Sequence, residues 1–582
     1  MALSPPHLAA AGRSAAHSAG RLRQGPLQLA AAAAATPQRA PGDGCGRWPR
    51  AALGAAAVPL LAWRRRSAKE GWRSFAVGSR CVVTAAAGAA AGEGVREFPH
   101  QYINGEWVAS TASPETLNVV DSNTARVVAT VPRGSAQDMD KAVNAARAAF
   151  DGWSATPLSE RKAYLSKVLA NFKKRRPEVV EWLLKELGCT RAFAERVQSR
   201  SFEVHAGVLL GMIDSVEWCE AAGSCTVVKE PLGVIGCITP WNYPLNQIAL
   251  KIAPAMLVGC TVVLKPSEVT PVNAYLLAEA VHEAGLPKGV FNMVVGEGPS
   301  CGEALVEHPE VDLISFTGST RAGRRINEVA ARTLKRVRTE LGGKSAALLL
   351  DDADFKEMVP TFVEHVMNNS GQSCNALSRL LVPRARYDEA VGLAREVAER
   401  TAVGRSDDPA AKIGPLVSQV QWDRVQSYLE AGVREGARLV VGGPGKPEGL
   451  EDGFFVKPTV FADVDNSMTI AREEIFGPVL SVIPYDTEDE AVNIANDTIY
   501  GLNNAVGSSD PKRALKVASK LRSGMVMVNS TRMDPAAPFG GYKQSGNARE
   551  WGKYGLEEFL VTKTINLSLD DYKAAVSDPP ES

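Results

Sequence analysis

Hydrophobic and polar positions follow two different periods along the chain. Residues 138–153 and 160–175 repeat apolar side chains at intervals of three and four, which predicts two amphipathic helices. From residue 233 onward, short apolar runs alternate with helical stretches, and the first runs lie at 234–238, 261–264, 290–295 and 313–316. Such alternation is typical of a parallel sheet covered by helices, so the pattern predicts an α/β protein.

Turn and capping residues add local predictions. Asn104 and Gly105 stand between two short apolar runs, which is the strongest local signal for a β-hairpin. Thr270 is expected to cap the helix that follows it. Glu340 is expected at the junction between a basic helix and an apolar strand at 346–350.

Composition excludes several classes of function. The chain has 582 residues with 65 Lys and Arg against 65 Asp and Glu, so it lacks the basic surplus that nucleic-acid binding requires. Its nine cysteines include no C-x-x-C pair, which argues against a zinc site or a disulfide framework and for a reducing compartment. No apolar run approaches the roughly 20 residues of a membrane-spanning helix. We therefore expect no metal, nucleic acid or membrane among the partners.

The first 95 residues differ from the rest in charge. Up to residue 96 the chain has 13 Lys and Arg but 3 Asp and Glu, which leaves 52 basic and 62 acidic residues for the remainder. An Ala-, Arg- and Ser-rich segment with few acids is typical of an organellar transit peptide, and a disordered extension is the alternative. The start of the chain and the run RCVVTA at 80–85 favour the plastid, with the mitochondrial matrix as the alternative.

Two stretches suit a nucleotide. Gly318 and Ser319 lie between a predicted strand and a predicted helix, where small residues let the backbone approach a phosphate, although a plain turn explains them equally well. Lys265 and Glu268 follow the strand at 261–264, at the sheet edge where nucleotides bind. A carboxylate at that place suits ribose hydroxyls and repels a 2′-phosphate. An exposed ion pair is the alternative.

Three other residues could carry chemistry. Cys374 stands in a glycine-containing loop, where a thiol can be held accessible and reactive, whereas a structural cysteine is normally surrounded by apolar residues. Glu340 precedes two glycines and could act as a base, although a solvent-facing glutamate remains the alternative. The side-chain amide of Asn242 could donate to a developing oxyanion.

Taken together, these motifs occur in the order and spacing of a known enzyme family. They are WNYP at 241–244, KPSE at 265–268, FTGS at 316–319, ELGGK at 340–344, GQSC at 371–374, EIFGP at 474–478 and PFGGYKQSG at 538–546. On these motifs the chain resembles the NAD(P)-dependent aldehyde dehydrogenase superfamily, and within it the bacterial-type and betaine-aldehyde-like group. The resemblance covers residues 98–567.

The resemblance implies a role for each matching residue. Cys374 would be the nucleophile, Asn242 would hold the oxyanion, Glu340 would be the general base that hydrolyses the thioester, and Glu550 would take part in a proton relay. NAD would be the cofactor. Lys265 and Glu268 would bind its adenosine ribose, Gly318 and Ser319 its pyrophosphate, Glu474 its nicotinamide ribose, Phe476 would position the ring, and Trp241 would pack near the adenine side.

Two positions depart from the family pattern. Thr339 precedes Glu340 where an aliphatic residue is usual, and Ala548 replaces a usual glycine two residues before Glu550. Neither change removes a reacting group. They bring into question only the positioning of Glu340 and of the loop that carries Glu550.

The family fold has three parts. A Rossmann-like cofactor domain would comprise residues 98–212 and 232–342, and an α/β catalytic domain would comprise 343–545. A small β arm for oligomerisation would comprise 213–231 and 560–569. Because such an arm exposes a sheet edge in a monomer, we expect a homodimer or a homotetramer.

The substrate is expected to be an aldehyde of broad aliphatic or aromatic type. Matching the family's pocket brings in Tyr243, Gln247, Leu250, Ser373, Asn375, Met533 and Phe539. This mixed lining has too few aromatic rings for a quaternary ammonium group, and it contains no arginine for a short semialdehyde carboxylate. The alternatives to NAD-dependent oxidation to the acid are a CoA-acylating semialdehyde dehydrogenase, which Glu340 argues against, and a noncatalytic, crystallin-like structural protein.

Overall fold

The computed structural model of the protein describes residues 94–577. The predicted transit peptide at 1–95 lies outside this range except for its last two residues, so it stays a prediction. In the described range, no helix combines the length and the apolar character that crossing a membrane requires.

Strands and helices alternate through most of the described chain. The strands are β1 (Arg96–Glu97), β2 (His100–Ile103), β3 (Glu106–Ala109), β4 (Thr116–Asp121), β5 (Arg126–Pro132), β6 (Cys219–Ala222), β7 (Cys225–Pro231), β8 (Val234–Ile238), β9 (Thr261–Lys265), β10 (Phe291–Met293), β11 (Leu313–Thr317), β12 (Arg336–Glu340), β13 (Ala346–Leu349), β14 (Arg379–Pro383), β15 (Arg438–Val441), β16 (Thr459–Ala462), β17 (Val479–Tyr485), β18 (Asn503–Gly507), β19 (Met525–Val528) and β20 (Leu560–Ile565). The α-helices are α1 (Ala136–Ala155), α2 (Leu158–Lys174), α3 (Arg176–Trp182), α4 (Arg191–Arg196), α5 (Ser201–Met212), α6 (Pro244–Val258), α7 (Val272–Ala284), α8 (Glu303–Glu307), α9 (Thr320–Ala330), α10 (Phe355–Met367), α11 (Tyr387–Arg400), α12 (Gln419–Arg434), α13 (Thr469–Arg472), α14 (Glu488–Asn496), α15 (Pro511–Ala518), α16 (Gly552–Glu557) and α17 (Leu569–Ser577).

The first large sheet has the strand order β12-β11-β8-β9-β10-β2-β3, and its first five strands are parallel. Successive side chains of β8 point to opposite faces. Val234 and Ile238 pack in the core formed with α1 and α9, whereas Ile235 and Cys237 pack in the core formed with α6 and α7. Burial on both faces explains why these strands are apolar throughout, and it gives the Rossmann-like layering that the sequence predicts.

A hairpin closes one end of this sheet. β2 and β3 pair antiparallel, and the two residues between them, Asn104 and Gly105, have φ angles of 54° and 76°. Both angles lie in the left-handed region that a tight hairpin turn requires and that Asn and Gly tolerate best. The Asn-Gly hairpin prediction is confirmed.

The second large sheet has the order β15-β16-β17-β14-β13-β18-β19 and is parallel except for β15. Ala346 and Leu348 of β13 face the core formed with α12, α14 and α15, while Ala347 and Leu349 face the core formed with α10 and α11. The protein is therefore an α/β fold with two helix-covered sheets, as predicted.

Two smaller sheets complete the fold. β20, β7 and β6 form an antiparallel sheet that joins residues 219–231 to 560–565. These strands fall within the segments assigned to the predicted arm, and most residues of β6 and β20 are exposed or half-buried. β1, β5 and β4 form the other sheet, near the N-terminal end of the described range.

Two local predictions are wrong. Glu340 does not follow a helix, because α9 ends at Ala330 and a turn with Leu334 at φ 56° leads into β12, which pairs in parallel with β11 and ends at Glu340. Thr270 does not cap α7. Its hydroxyl lies 3.4 Å from the Trp241 carbonyl oxygen.

Glu186 takes the place of Thr270 at the start of α7. This fully buried carboxyl group accepts hydrogen bonds from the backbone N–H of Val272 at 3.0 Å and of Asn273 at 3.2 Å, and from the Asn273 side chain. The first N–H groups of a helix have no partner within the helix, so a carboxyl group that accepts from them stabilises the helix. The contact spans 86 residues of sequence, which local patterns cannot reveal.

We expect Glu186→Ala to lower the free energy of unfolding by about 2 kcal/mol, because it leaves the buried N–H groups of α7 unpaired. Thr270→Ala is the matched control and should lower it by no more than about 1 kcal/mol, because this buried residue loses one methyl group and one long hydrogen bond. Denaturant unfolding of both variants measures the difference. An equal loss in the two variants would contradict the assignment of the cap to Glu186.

Candidate active site

The carboxyl ends of the parallel strands in the first sheet carry many of the predicted site residues. Lys265 ends β9, Glu340 ends β12, and Thr317 ends β11 immediately before Gly318. Asn242 lies in the loop between β8 and α6. Because parallel strands end at one edge of a sheet, these residues lie along the same edge, although they are separated by up to about a hundred positions in sequence.

Cys374 belongs to the other half of the protein, in the loop between α10 and β14. Asn369, Ser370 and Gly371 precede it with φ angles of 53°, 56° and 75°, all in the left-handed region. A Cβ on Gly371 would lie 2.0 Å from the backbone of Gly477, so only glycine fits. The loop therefore holds Cys374 in a fixed place at the edge of the second sheet.

Hydrogen bonds connect the Cys374 loop to Asn242. The buried side-chain amide of Asn242 donates to the backbone carbonyl oxygen of Gln372 at 3.1 Å. The backbone carbonyl oxygen of Asn242 accepts from the Asn369 side chain at 2.9 Å and from the Gln198 side chain at 3.0 Å. The Asn242 amide carries a second hydrogen. That hydrogen remains available to an oxygen bound beside Cys374.

Glu340 is fully buried, and neither of its carboxyl oxygens has a hydrogen-bond partner in the described structure. Burial raises the pKa of Glu340 well above its usual range, the charge of Glu550 raises it further, and Lys251 lowers it. Burial likewise raises the pKa of the Cys374 thiol, and the charge of Glu340 adds to the rise. Two negative charges on this pair repel each other, so ionising one disfavours ionising the other.

Glu550 forms a buried ion pair that sequence reasoning missed. The Lys251 ammonium lies 2.5 Å from one oxygen of Glu550 and 2.7 Å from the Thr317 hydroxyl, and the other oxygen of Glu550 has no partner among residues 94–577. Lys251 is fully buried in α6, where it is the one charged residue of a largely apolar helix. A lysine inside an apolar helix was the signal that could have identified it.

The two departures from the family pattern contact each other. The Thr339 carbonyl oxygen accepts hydrogen bonds from the backbone N–H of Asn547 and of Ala548, each at 3.0 Å. The Thr339 hydroxyl also donates to the Asn547 side chain at 3.1 Å. The strand that ends at Glu340 and the loop that leads to Glu550 are thus joined, and the added hydroxyl contributes one of the bonds.

A cavity of about 640 Å³ extends from the turn after β11 to Cys374. Its walls include the predicted cofactor residues Trp241, Gly318, Ser319, Glu474 and Phe476, and the catalytic candidates Asn242, Glu340 and Cys374. Gln247, predicted for the substrate pocket, also lines it.

The walls of this cavity suit a dinucleotide. Ser319 caps the 11-residue helix α9, whose first N–H groups can receive a phosphate. Gly343 N–H donates to one oxygen of Glu474 at 3.0 Å, and a Cβ on Gly342 would lie 2.3 Å from the other oxygen. The missing side chain at Gly342 thus leaves room for the carboxylate.

Three cofactor candidates contact other side chains in the structure. Lys265 and Glu268 pair with each other at 2.9 Å and are not among the residues that line this cavity. The Trp241 ring lies edge-on to Phe476, with ring centres 5.3 Å apart. Trp241 therefore contacts the residue that is expected beside the nicotinamide ring.

A second cavity, of about 970 Å³, reaches Cys374 from another direction. Of the predicted substrate residues, those lining it are Tyr243, Gln247, Leu250, Asn375, Met533 and Phe539. Ser373 is not among them. It lies behind the wall, where its hydroxyl is 2.8 Å from the Tyr243 hydroxyl.

Sequence reasoning missed several residues of this second cavity. Arg196, Arg200, His205 and Trp551 also line it. The expectation of a pocket without arginine is therefore wrong, because the segment that supplies both arginines lies more than 40 residues before the matched motifs and reaches the cavity only through the fold. Within residues 94–577, no cluster of metal-ligating side chains is found.

Comparison with known proteins agrees with this geometry. The model of the aldehyde dehydrogenase family matches residues 107–565. The chain is 48% identical over 472 residues to 3-succinoylsemialdehyde-pyridine dehydrogenase of a Pseudomonas species, covering 81% of this chain and 99% of that protein.

Solved structures are similar over the same range. A cysteine-to-alanine variant of aldehyde dehydrogenase C of Pseudomonas syringae, complexed with NAD+ and octanal, has a TM-score of 0.79 at 48% identity and covers 80% of this chain and 96% of its own. An aldehyde dehydrogenase of Mycobacterium tuberculosis complexed with NAD+ has a TM-score of 0.79 at 44% identity, and the match covers 82% of this chain and 99% of that protein. Betaine aldehyde dehydrogenase of Staphylococcus aureus in complex with NAD+ has a TM-score of 0.78 at 37% identity, and the match covers 80% of this chain and 94% of that protein.

The two helix-covered sheets, with a cysteine that lines two cavities, have the architecture of an α/β enzyme. The chain belongs to the aldehyde dehydrogenase family. The resemblance stated from its motifs is confirmed.

The coupling between Glu340 and Cys374 predicts the pH dependence of thiol reactivity in the protein without cofactor. Because the charge of Glu340 raises the pKa of Cys374, Glu340→Gln should move the alkylation of Cys374 by iodoacetamide to lower pH. Mass spectrometry of the modified peptide measures the profile. Glu473→Gln, at an exposed position bonded to Tyr428, is the control and should leave it in place. A shift to higher pH in Glu340→Gln would contradict the coupling.

Proposed function

We propose that the protein oxidises an aldehyde to the carboxylic acid, with NAD as cofactor and Cys374 as nucleophile. The observation that carries the proposal is that Cys374 lines both cavities, one suited to a dinucleotide and one with a largely apolar wall. A substrate carbon at the thiol would therefore lie between the two. The NAD+ bound to the solved relatives supports the choice of cofactor.

Residues of this chain suit each part of NAD. Ser319 and the start of α9 would hold the pyrophosphate, and the carboxylate of Glu474 would accept hydrogen bonds from the nicotinamide ribose. Glu268 would accept from the adenosine ribose and would repel the 2′-phosphate of NADP. When bound, NAD supplies an acceptor for two electrons and one hydrogen from the substrate carbon.

Cys374 would react as the thiolate, its proton passing first to the ionised carboxylate of Glu340, whose charge acts on the thiol, and from there to the pair of Lys251 and Glu550. Its Sγ adds to the aldehyde carbon, and the carbonyl electron pair moves onto oxygen, so charge develops there. The free hydrogen of the Asn242 amide and the backbone N–H of Cys374 would stabilise that oxyanion. Oxidation of the tetrahedral carbon leaves an acyl group attached to Sγ as a thioester.

Glu340 completes the reaction as a base. With its carboxylate ionised it would take a proton from water, whose oxygen then attacks the thioester carbon. The carbon–sulfur bond breaks, the acid leaves, and Sγ is released as the thiolate that starts the next turnover. Glu550 and Lys251 lie beside this carboxyl, and their charges tune its protonation. They would carry its proton onward through the buried ion pair.

We expect Cys374→Ala to reduce aldehyde oxidation by more than about a thousandfold while NAD binding persists, because the nucleophile is lost and the cofactor walls remain. Asn242→Ala should lower kcat by about a hundredfold, through loss of an oxyanion donor. NADH formation and fluorescence titration with NAD measure the two properties, and Cys219→Ala in β6 is the control.

Three outcomes would contradict this function. Undiminished aldehyde oxidation by the Cys374→Ala variant would exclude Cys374 as the nucleophile. Activity strictly dependent on added CoA would replace hydrolysis with acyl transfer to CoA. Absence of both NAD binding and oxidation in the unaltered chain would favour a structural role.

We also propose that the chain assembles into a homodimer or a homotetramer through the β20-β7-β6 sheet. β6 and β20 are the two edges of that sheet, and an unpaired edge favours pairing with a strand of another copy. Sedimentation of the chain without its first 95 residues should yield two or four copies. A single copy throughout the micromolar range would contradict the assembly.

A further inference from the structure

The outer end of the second cavity carries positive charge that the reaction at Cys374 does not use. Arg196, Val197, Arg200 and Val204 line the cavity and are exposed, so they form its mouth. Tyr243 and Leu250, by contrast, are largely buried, and they line the same cavity as Cys374. The cavity thus has an inner end at the thiol and an outer end at the arginines.

The two arginines come from neighbouring elements. Arg196 ends α4, and a single 3₁₀ turn (Gln198–Arg200) joins it to α5. The backbone is irregular at Val197, so no continuous α-helical face joins the two positions. Both residues nevertheless line the cavity, together with Val204 of α5.

Neither arginine is neutralised by a carboxylate of the described chain. Arg196 donates from Nε to the Ala192 carbonyl oxygen at 3.1 Å, which leaves its other N–H groups free, and Arg200 has no side-chain partner among residues 94–577. No Asp or Glu is found among the residues that line the described cavity. Arginine carries its charge at every physiological pH.

Nearby acids are directed elsewhere. Glu203 pairs with Lys173 at 3.0 Å and with Arg176. Glu195 forms no ion pair with Arg196 or Arg200 in the part of the chain that the structure describes. Asp534 accepts a hydrogen bond from the Ala536 backbone N–H at 2.9 Å.

His205 does not add to the charge of the cavity. Its ring nitrogen lies 2.8 Å from the Asn246 side-chain oxygen, and burial lowers the pKa of His205 to about 4, so the ring is neutral at physiological pH. Its neighbour Trp551, with ring centres 5.3 Å apart, continues the wall as an aromatic surface. The two arginines are therefore the charged groups of the mouth.

Between the two ends the wall carries no charged side chain and combines apolar and uncharged polar groups. Its apolar side chains include Leu250, Met533, Phe539 and Trp551. The methylene groups of a substrate would be buried against these side chains. A negatively charged group would reach the arginines only if it stood at the end of the substrate opposite to the aldehyde.

We propose that the enzyme prefers straight-chain aldehydes whose other end carries a carboxylate, with Arg196 and Arg200 binding that carboxylate at the mouth. This inference deepens the proposed function and rests on it. Guanidinium and carboxylate groups form paired, charge-assisted hydrogen bonds, which give a negatively charged tail an advantage over a methyl group of the same chain length. The aldehyde end would then lie at Cys374.

The test compares matched substrates that differ only at the tail. For the unaltered enzyme we expect kcat/KM to be higher for 8-oxooctanoate than for octanal, through a lower KM, and to fall with added salt for 8-oxooctanoate only. In the double variant Arg196→Gln/Arg200→Gln, the ratio of the two kcat/KM values should fall about tenfold, the size expected for two partly exposed ion pairs. The kcat values should change little.

Two further variants guard against a general effect on folding. Arg196→Lys/Arg200→Lys keeps the charge and should recover much of the ratio, and Arg434→Gln, an exposed arginine of α12 that does not line the cavity, should leave it unchanged. The short pair 4-oxobutanoate and butanal should respond less to the double variant, because a short carboxylate does not extend to the mouth.

The outcomes separate this inference from the proposed function. A ratio that does not change in the double variant, or a preference for octanal in the unaltered enzyme, would overturn the role of the arginines while leaving aldehyde oxidation intact. Failure to oxidise either aldehyde would instead overturn the proposed function.

Discussion

The hydrogen bond from the Asn242 amide to the Gln372 carbonyl joins the two halves of the protein at the place where chemistry can occur. Asn242 follows a strand of the first sheet, and Gln372 stands two residues before Cys374 in the second half. Both residues are buried, so breaking this contact would leave the Asn242 side-chain amide without its partner. The contact therefore fixes the Cys374 loop relative to Asn242, and residues of both halves line the first cavity.

Burial at this junction sets the electrostatics of the site. Glu340 has no hydrogen-bond partner within residues 94–577, and the buried pair of Lys251 and Glu550 lies near it. A partnerless buried carboxyl is costly for stability, which is why such groups mark sites where proton transfer matters. The contacts of Thr339 with Ala548 show how the chain supports this arrangement, since they join the strand of Glu340 to the loop of Glu550.

The two cavities divide the work of recognition. The first is built from strand ends and glycines, such as Gly342, whose missing side chain admits the carboxylate of Glu474. The second is built from helices and loops and has a mixed lining, with charge at its mouth. In the proposed function, chemistry at Cys374 depends on the first cavity and on the junction. The choice among aldehydes would depend on the second cavity, whose walls come from segments distant in sequence.

The sequence by itself determined the α/β class, the hairpin at Asn104 and the family, because period, turn residues and local motifs are properties of neighbouring positions. Only the tertiary structure decided that Glu186 caps a helix far along the chain, that Lys251 pairs with Glu550, and that arginines line the second cavity. These contacts join residues tens to hundreds of positions apart, and no local pattern records them. These contacts form only when the chain is packed, and burial favours them because a buried polar group without a hydrogen-bond partner costs free energy.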